Sequence, residues 1–201
     1  IHGLAPRYPA TTGYDSSDYV LTTADAGGSA NSGTNCRSLW LLNVAPGKIY
    51  GIYDPMKGPA GMDFKDNGRQ RSEDSSGRIL YGYETQVGWS LGIVVQDYRY
   101  AVRIQYDPDD SVMASSQRGL LDLAVEAMSR IYESEGACWM MDRDTQILIN
   151  KQLQSNENRT MTYVAGGGRV LSDPTQGPGF REVYGLPAYI EDSLVAETAI
   201  S

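Results

Sequence analysis

The chain has 201 residues, 41% of them hydrophobic and 21% charged, enough apolar material for a real core and too much for wholesale disorder. Its formal charge is −8, which argues against nucleic-acid binding by phosphate neutralisation. No run reaches the roughly 18 apolar residues that a membrane-spanning helix needs.

In chain order, Ile1–Tyr8 is short and apolar, with Pro6 and Pro9 preventing a helix. Pro9–Asn35 shifts to Gly, Ser, Thr, Ala and Asp and reads as a long loop, an interaction arm or a surface excursion, with a short strand at Val20–Thr23. Ser38–Tyr53 reads as a hairpin: strand Leu39–Val44, turn Ala45-Pro46-Gly47, strand Lys48–Tyr53. A turn-rich connector, Asp54–Gly61, follows. Met62–Lys65 and Arg78–Glu84 predict two strands flanking the polar segment Asp66–Gly77, a projecting hairpin with a charged, mobile tip.

Gln86–Tyr106 is the longest apolar and aromatic stretch. Val87, Trp89, Leu91 and Ile93 alternate with small residues, the period of a strand with one buried face. A continuous strand of that length would span roughly 70 Å. The reading is therefore two strands meeting at a bend near Gln96-Asp97, or one long bent ribbon, paired antiparallel with Lys48–Tyr53.

Asp107-Pro108-Asp109-Asp110 breaks this pattern. Ser115 or Ser116 is placed to cap a helix from about Gln117 to Glu133, with Leu120, Leu123, Ala124, Ala127, Met128 and Ile131 as its apolar stripe. A strand is expected at Ala137–Met141 and a second helix, capped by Asp142, from Arg143 to about Gln154. Further strands are expected at Thr160–Val164 and Leu186–Ile190.

The residues that bear chemistry do not converge. The single histidine, His2, sits at the chain end, which removes His-rich zinc sites and leaves no Ser-His-Asp arrangement. Asp107, Asp109 and Asp110, and likewise Asp142 and Asp144, have carboxylates for Ca²⁺ but not the spacing of a calcium loop, so turn and cap roles are the reading. Gly166-Gly167-Gly168-Arg169 lacks the ending of a phosphate-binding loop and reads as a flexible turn. Asn158-Arg159-Thr160 is a glycosylation pattern, relevant only in a secretory path. Trp40, Trp89 and Trp139 lie in predicted strands and read as core rather than as a ligand platform. Cys36 and Cys138 are far apart in the chain and read as two free thiols. Thirteen arginines against four lysines, with 14 tyrosines, is a composition suited to interfaces.

Taken together, S-L-W-L-L-N-V-A-P-G-K-I-Y-G-I-Y-D-P-M-K-G-P-A-G-M, the polar hairpin, and Y-E-T-Q-V-G-W-S-L-G-I-V-V-Q-D-Y-R-Y-A-V-R-I resemble the major capsid proteins of tailed double-stranded DNA bacteriophages, in particular those of short-tailed phages. The opening I-H-G-L-A-P-R-Y, the helix G-L-L-D-L-A-V-E-A-M-S-R-I and the late Y-G-L-P-A-Y-I-E-D-S-L match in the same order. The resemblance covers nearly the whole chain and implies an α+β, HK97-like capsid fold: a peripheral region of long strands and an axial α/β domain. On this reading, 1–35 is an N-terminal segment and loop, 36–106 the peripheral-type region, and 107–201 the axial-type domain, with the change of character near Asp107–Met113. Family chains carry an N-terminal arm, an extended loop and a spine helix before the segment that matches Ile1–Tyr8.

The function implied is structural: a subunit that forms hexamers and pentamers of itself in an icosahedral shell around double-stranded DNA. It would enclose the DNA without binding it specifically, be made in the bacterial cytoplasm and reside in the virion. Scaffolding, portal and decoration proteins are further partners on this reading. No enzyme activity, catalytic residue, metal or cofactor is expected. The alternatives are the shell of an HK97-like nanocompartment and a carbohydrate-binding or hydrolytic module of a phage tail.

Overall fold

The computed structural model describes residues 4–9, 16–31, 35–73, 75–155, 182–191 and 194. In chain order its strands are β1 (Val20–Thr22), β2 (Arg37–Asn43), β3 (Ile49–Tyr53), β4 (Met62–Glu73), β5 (Ile79–Trp89), β6 (Leu91–Val95), β7 (Ala101–Tyr106), β8 (Ala137–Met141), β9 (Glu182–Val183) and β10 (Leu186–Ile190). The helices are α1 (Gly119–Arg130) and α2 (Arg143–Ser155). The chain divides into two compact units, one of residues 51–94 and the other of residues 1–50 with 95–201. The segments expected at Thr160–Val164 and Gly166–Arg169, the Asn158 pattern and His2 lie outside the described residues.

The larger unit, the body, is built on a six-stranded sheet of order β1-β7-β2-β8-β10-β9. Within it β1 runs parallel to β7 and β10 parallel to β8, while β2 is antiparallel to both of its neighbours. Its central strands are buried on both faces, which is why their sequences read as near-continuous apolar runs. Leu39 and Leu41 of β2, Val102, Ile104 and Tyr106 of β7, and Trp139 and Met141 of β8 pack with Leu120, Leu123, Ala124 and Ala127 of α1 and Ile149 of α2. Trp40, Leu42 and Ala101 form a second cluster with Leu4, Tyr8, Val20 and Ile49. Tyr8 meets Trp40 edge-on at 5.7 Å and donates to the Tyr98 carbonyl at 2.7 Å. Arg103 is buried although it is charged. It lies 5.3 Å from the Trp40 ring and donates to the Ala5 and Tyr8 carbonyls, pinning the N-terminal segment to the sheet.

The strands at Ala137–Met141 and Leu186–Ile190 and the helix from Arg143 have the expected bounds, and Asp142 caps α2 by accepting from the Thr145 amide at 3.0 Å. Helix α1 differs at its start. Arg118 is its N-cap, without a side-chain bond, and Ser115 and Ser116 precede it. Gly119 sets the position: a Cβ there would come 2.5 Å from the Val112 carbonyl oxygen, so the helix begins where only glycine fits.

Strand pairing follows the sequence reading in part: Ile49–Tyr53 does pair within the Gln86–Tyr106 stretch, at Leu91–Val95, but the first hairpin and the single ribbon do not form. The turn at Ala45-Pro46-Gly47 exists, with Gly47 at φ +83°, but β2 and β3 do not form the expected hairpin beyond one bridge between Val44 and Ile49. β2 lies between β7 and β8, and β3 pairs with β6. The Gln86–Tyr106 stretch is likewise no single ribbon. It breaks at Ser90 and bends where expected, at Gln96-Asp97, into a short 3-10 turn over Tyr98–Tyr100 in which Asp97 accepts from the Arg99 amide at 2.9 Å. Its parts belong to three separate sheets. β2 is buried on both faces, as a strand inside a layered sheet is, and its neighbours are not set by the turn that follows it. Consequently β2 and β7, from the 36–106 region, form the centre of a sheet completed by β8 and β10 from the 107–201 region.

Candidate assembly surface

In the smaller unit, β4 and β5 form a two-stranded antiparallel ribbon from Met62↔Trp89 to Glu73↔Ile79. Asp66-Asn67-Gly68, at the start of the segment expected as a mobile tip, has the residues of a turn but forms a β-bulge: Asp66 faces Thr85 and Gly68 faces Glu84. The same residue types suit both, since Gly68 takes φ +66° and its amide donates to Asp66 at 2.8 Å. The strands therefore run through most of the segment expected as a mobile tip, and the reversal lies near Ser75-Ser76-Gly77.

The bulge decides which side chains share a face. Directly opposed residues point the same way. Before the bulge, Met62 and Phe64 join Trp89 and Val87; after it, Arg69, Arg71 and Glu73 join Tyr83, Tyr81 and Ile79. Without the extra residue, Gly68, Gln70 and Ser72 would occupy that side. One face is thus apolar and aromatic near the base and an arginine–tyrosine ladder further out, with Arg69 stacked 4.5 Å from the Tyr81 ring centroid. The opposite face carries Asp63, Lys65, Gln70, Ser72, Gly82, Glu84, Gln86 and Gly88, with Leu80 the one large apolar side chain.

The sequence predicted Val87, Trp89, Leu91 and Ile93 as a buried face; the structure exposes all four. Trp89 is 62% exposed and Tyr83 86%. The Trp89 indole is held by its Nε1, which donates to the Ala60 carbonyl at 2.8 Å. Of the 19 large apolar side chains exposed among the described residues, 12 belong to residues 51–94. The alternation was a true sign of a strand with an apolar face. Burial, however, needs a partner layer, and the described residues supply none over these side chains. An isolated two-stranded ribbon is marginal in water, and an exposed apolar face of this kind marks an interaction surface.

The other candidate residues serve the body. Trp40 and Trp139 are fully buried, and Trp139 donates to the Val183 carbonyl at 3.1 Å. Asp107 accepts from the Asp109 amide at 3.0 Å, and Asp110 from those of Val112 and Ser29, both at 2.9 Å. Those backbone bonds, Val112 first, hold the Asp110 carboxyl below the usual range. Asp142 and Asp144 both pair with Arg37, the latter at 2.8 Å. Beside them the Tyr106 hydroxyl and Thr145 Oγ1 lie 2.8 Å apart, and burial pushes the Tyr106 phenol well above its ordinary range. Asp97 is hydrogen-bonded by the Arg99 guanidinium, which lowers its pKa. Arg99 in turn stacks 4.6 Å from the Tyr132 ring centroid. Cys36 and Cys138 are both buried thiols, not joined in a disulfide. Each of these carboxylates is spent on a backbone amide or a guanidinium, and among the described residues no three His, Cys, Asp or Glu side chains gather to hold a metal.

Carboxylates engaged in holding the fold, together with a ribbon whose apolar face is exposed among the described residues, are the marks of a structural component. Residues 1–179 match the family described as major capsid protein GP7, and the chain belongs to that family of structural capsid subunits. Its fold is similar to a chain in the near-atomic-resolution cryo-EM structure of bacteriophage Epsilon15, at 19% identity and a TM-score of 0.57. The likeness covers 100% of this chain and 58% of that one, so the chain spans little more than half the length of its structural neighbour. It supports the expected α+β, HK97-like class. No curated protein matches the sequence.

Proposed function

We propose that this chain is a non-enzymatic subunit of an icosahedral bacteriophage capsid, assembling with copies of itself in hexamers and pentamers around double-stranded DNA. It is made in the host cytoplasm and resides in the virion. The observation that carries the reading is the ribbon face of Phe64, Tyr81, Tyr83, Val87 and Trp89, apolar and aromatic yet solvent-exposed. Such a face is an aggregation hazard unless something covers it, and in a shell neighbouring copies do so. On this reading the body is the axial-type domain and residues 51–94 the peripheral-type arm. The net charge of −8 suits a lining that encloses DNA without holding it.

The test is production of the subunit in bacteria with its phage partners, followed by sedimentation and nuclease treatment. Closed particles protecting double-stranded DNA are expected. Closed particles without DNA would favour a nanocompartment, and a monodisperse monomer under all conditions would overturn the reading.

A further inference from the structure

The outer half of the ribbon face differs from its base. There Arg69 and Arg71 stand opposite Tyr83 and Tyr81, and both guanidiniums are exposed. Neither has an ion-pair partner among the described residues. This sets them apart from Arg37, Arg99, Arg118 and Arg130, each of which pairs with a carboxylate. The bulge at Asn67 is what places them beside the tyrosines. A guanidinium stacked on a phenol ring is pre-organised and keeps its outer N–H groups free for a carboxylate. The ladder can therefore take acidic side chains; Asp66 and Glu73 stand at its two ends on the same face without pairing to it, and Phe64, Val87 and Trp89 lie beyond Asp66 toward the base.

The chain itself supplies that acidity. Residues 51–94 hold five Lys or Arg and six Asp or Glu, so −7 of the formal charge of −8 belongs to the body. We infer that the Arg69/Arg71–Tyr81/Tyr83 ladder docks on acidic surface of the body of a second copy of this chain. The inference rests on the capsid-subunit reading and names the partner of its exposed face. Duplex DNA is the other polyanion at hand, and the test separates it from a second copy.

The test compares wild-type subunit with R69Q/R71Q and R69K/R71K, each checked for unchanged far-UV circular dichroism. Assembly is followed by sedimentation across salt concentrations. R69Q/R71Q is expected to raise the concentration needed for assembly by about tenfold or more and to flatten its salt dependence. R69K/R71K, which keeps the charge but loses the stacked fork, should fall between the two. Carbodiimide treatment of R69K/R71K in mixed ¹⁴N and ¹⁵N particles should join positions 69 and 71 to carboxylates outside residues 51–94 of the other isotope. Unchanged assembly and salt dependence in R69Q/R71Q would sink the inference and leave the subunit reading standing. Cross-links confined to one isotope would sink it as well. Duplex DNA retention lost in R69Q/R71Q at unaltered assembly would assign the ladder to DNA instead. A wild-type subunit that never assembles would remove both readings.

Discussion

Replacing Trp40 and Trp89 separately by alanine compares two tryptophans that look alike in sequence. Trp40 is fully buried, meets Tyr8 edge-on and has Arg103 near its ring. Emptying such a site costs about 3–5 kcal/mol, and the lost aromatic pair and the unstacked guanidinium favour the upper end. Trp89 is 62% exposed, so about two-fifths of an indole of roughly 250 Å² is covered. At about 25 cal/mol per Å² its truncation removes at most about 2.5 kcal/mol from the isolated subunit. Urea denaturation monitored by circular dichroism separates the two through their midpoints at constant m. In assembly the order should reverse. Trp89→Ala is expected to leave a folded subunit that assembles poorly, whereas Trp40→Ala should lose the subunit itself. Equal destabilisation by both substitutions would refute the claim that the ribbon face stands exposed in the single subunit.

Gly119→Ala should cost roughly 1–3 kcal/mol despite the better helix propensity of alanine, because its Cβ would meet the Val112 backbone at 2.5 Å; thermal melting measures it. Asp110 has a folded-state pKa depressed by the Val112 and Ser29 amides. Its stabilisation is thus complete above the unfolded value of about 3.9 and lost as pH falls through the folded value. Asp110→Asn should therefore flatten the acid limb of Tm against pH, and an unchanged limb would deny the linkage. Cys36 and Cys138 are buried, and burial raises the Cys138 pKa, so a thiol-specific disulfide reagent should titrate both only after unfolding.

What the sequence made legible follows from what is local. Asp142 next to a helical stripe marks the start of α2, and Gly136 before an apolar run marks β8, because caps and turns depend on a few adjacent residues. The pairing of β2 was not legible. Its run Leu39–Leu42 is apolar on both faces, which says that layers cover both sides but not which strands lie beside it. The Asp66-Asn67-Gly68 bulge was hidden because its residues are those of a turn, and the arginine ladder, which depends on the bulge, was hidden with it. For Val87, Trp89, Leu91 and Ile93 the period gave the strand and the apolar face correctly. Their exposure was out of reach, since an alternating pattern records that a face is covered in the working state, not that the cover comes from the same chain.

Hydrogen exchange at the β4 and β5 amides, compared between free subunit and assembled particle, tests that last point most directly. In the free subunit these amides should exchange fast, as expected for a marginal two-stranded ribbon, while those of β2 and β7 are protected. In the particle, protection of β4 and β5 should rise by about a hundredfold or more, equivalent to roughly 2.7 kcal/mol. Strong protection already present in the free subunit, or none gained on assembly, would contradict the account.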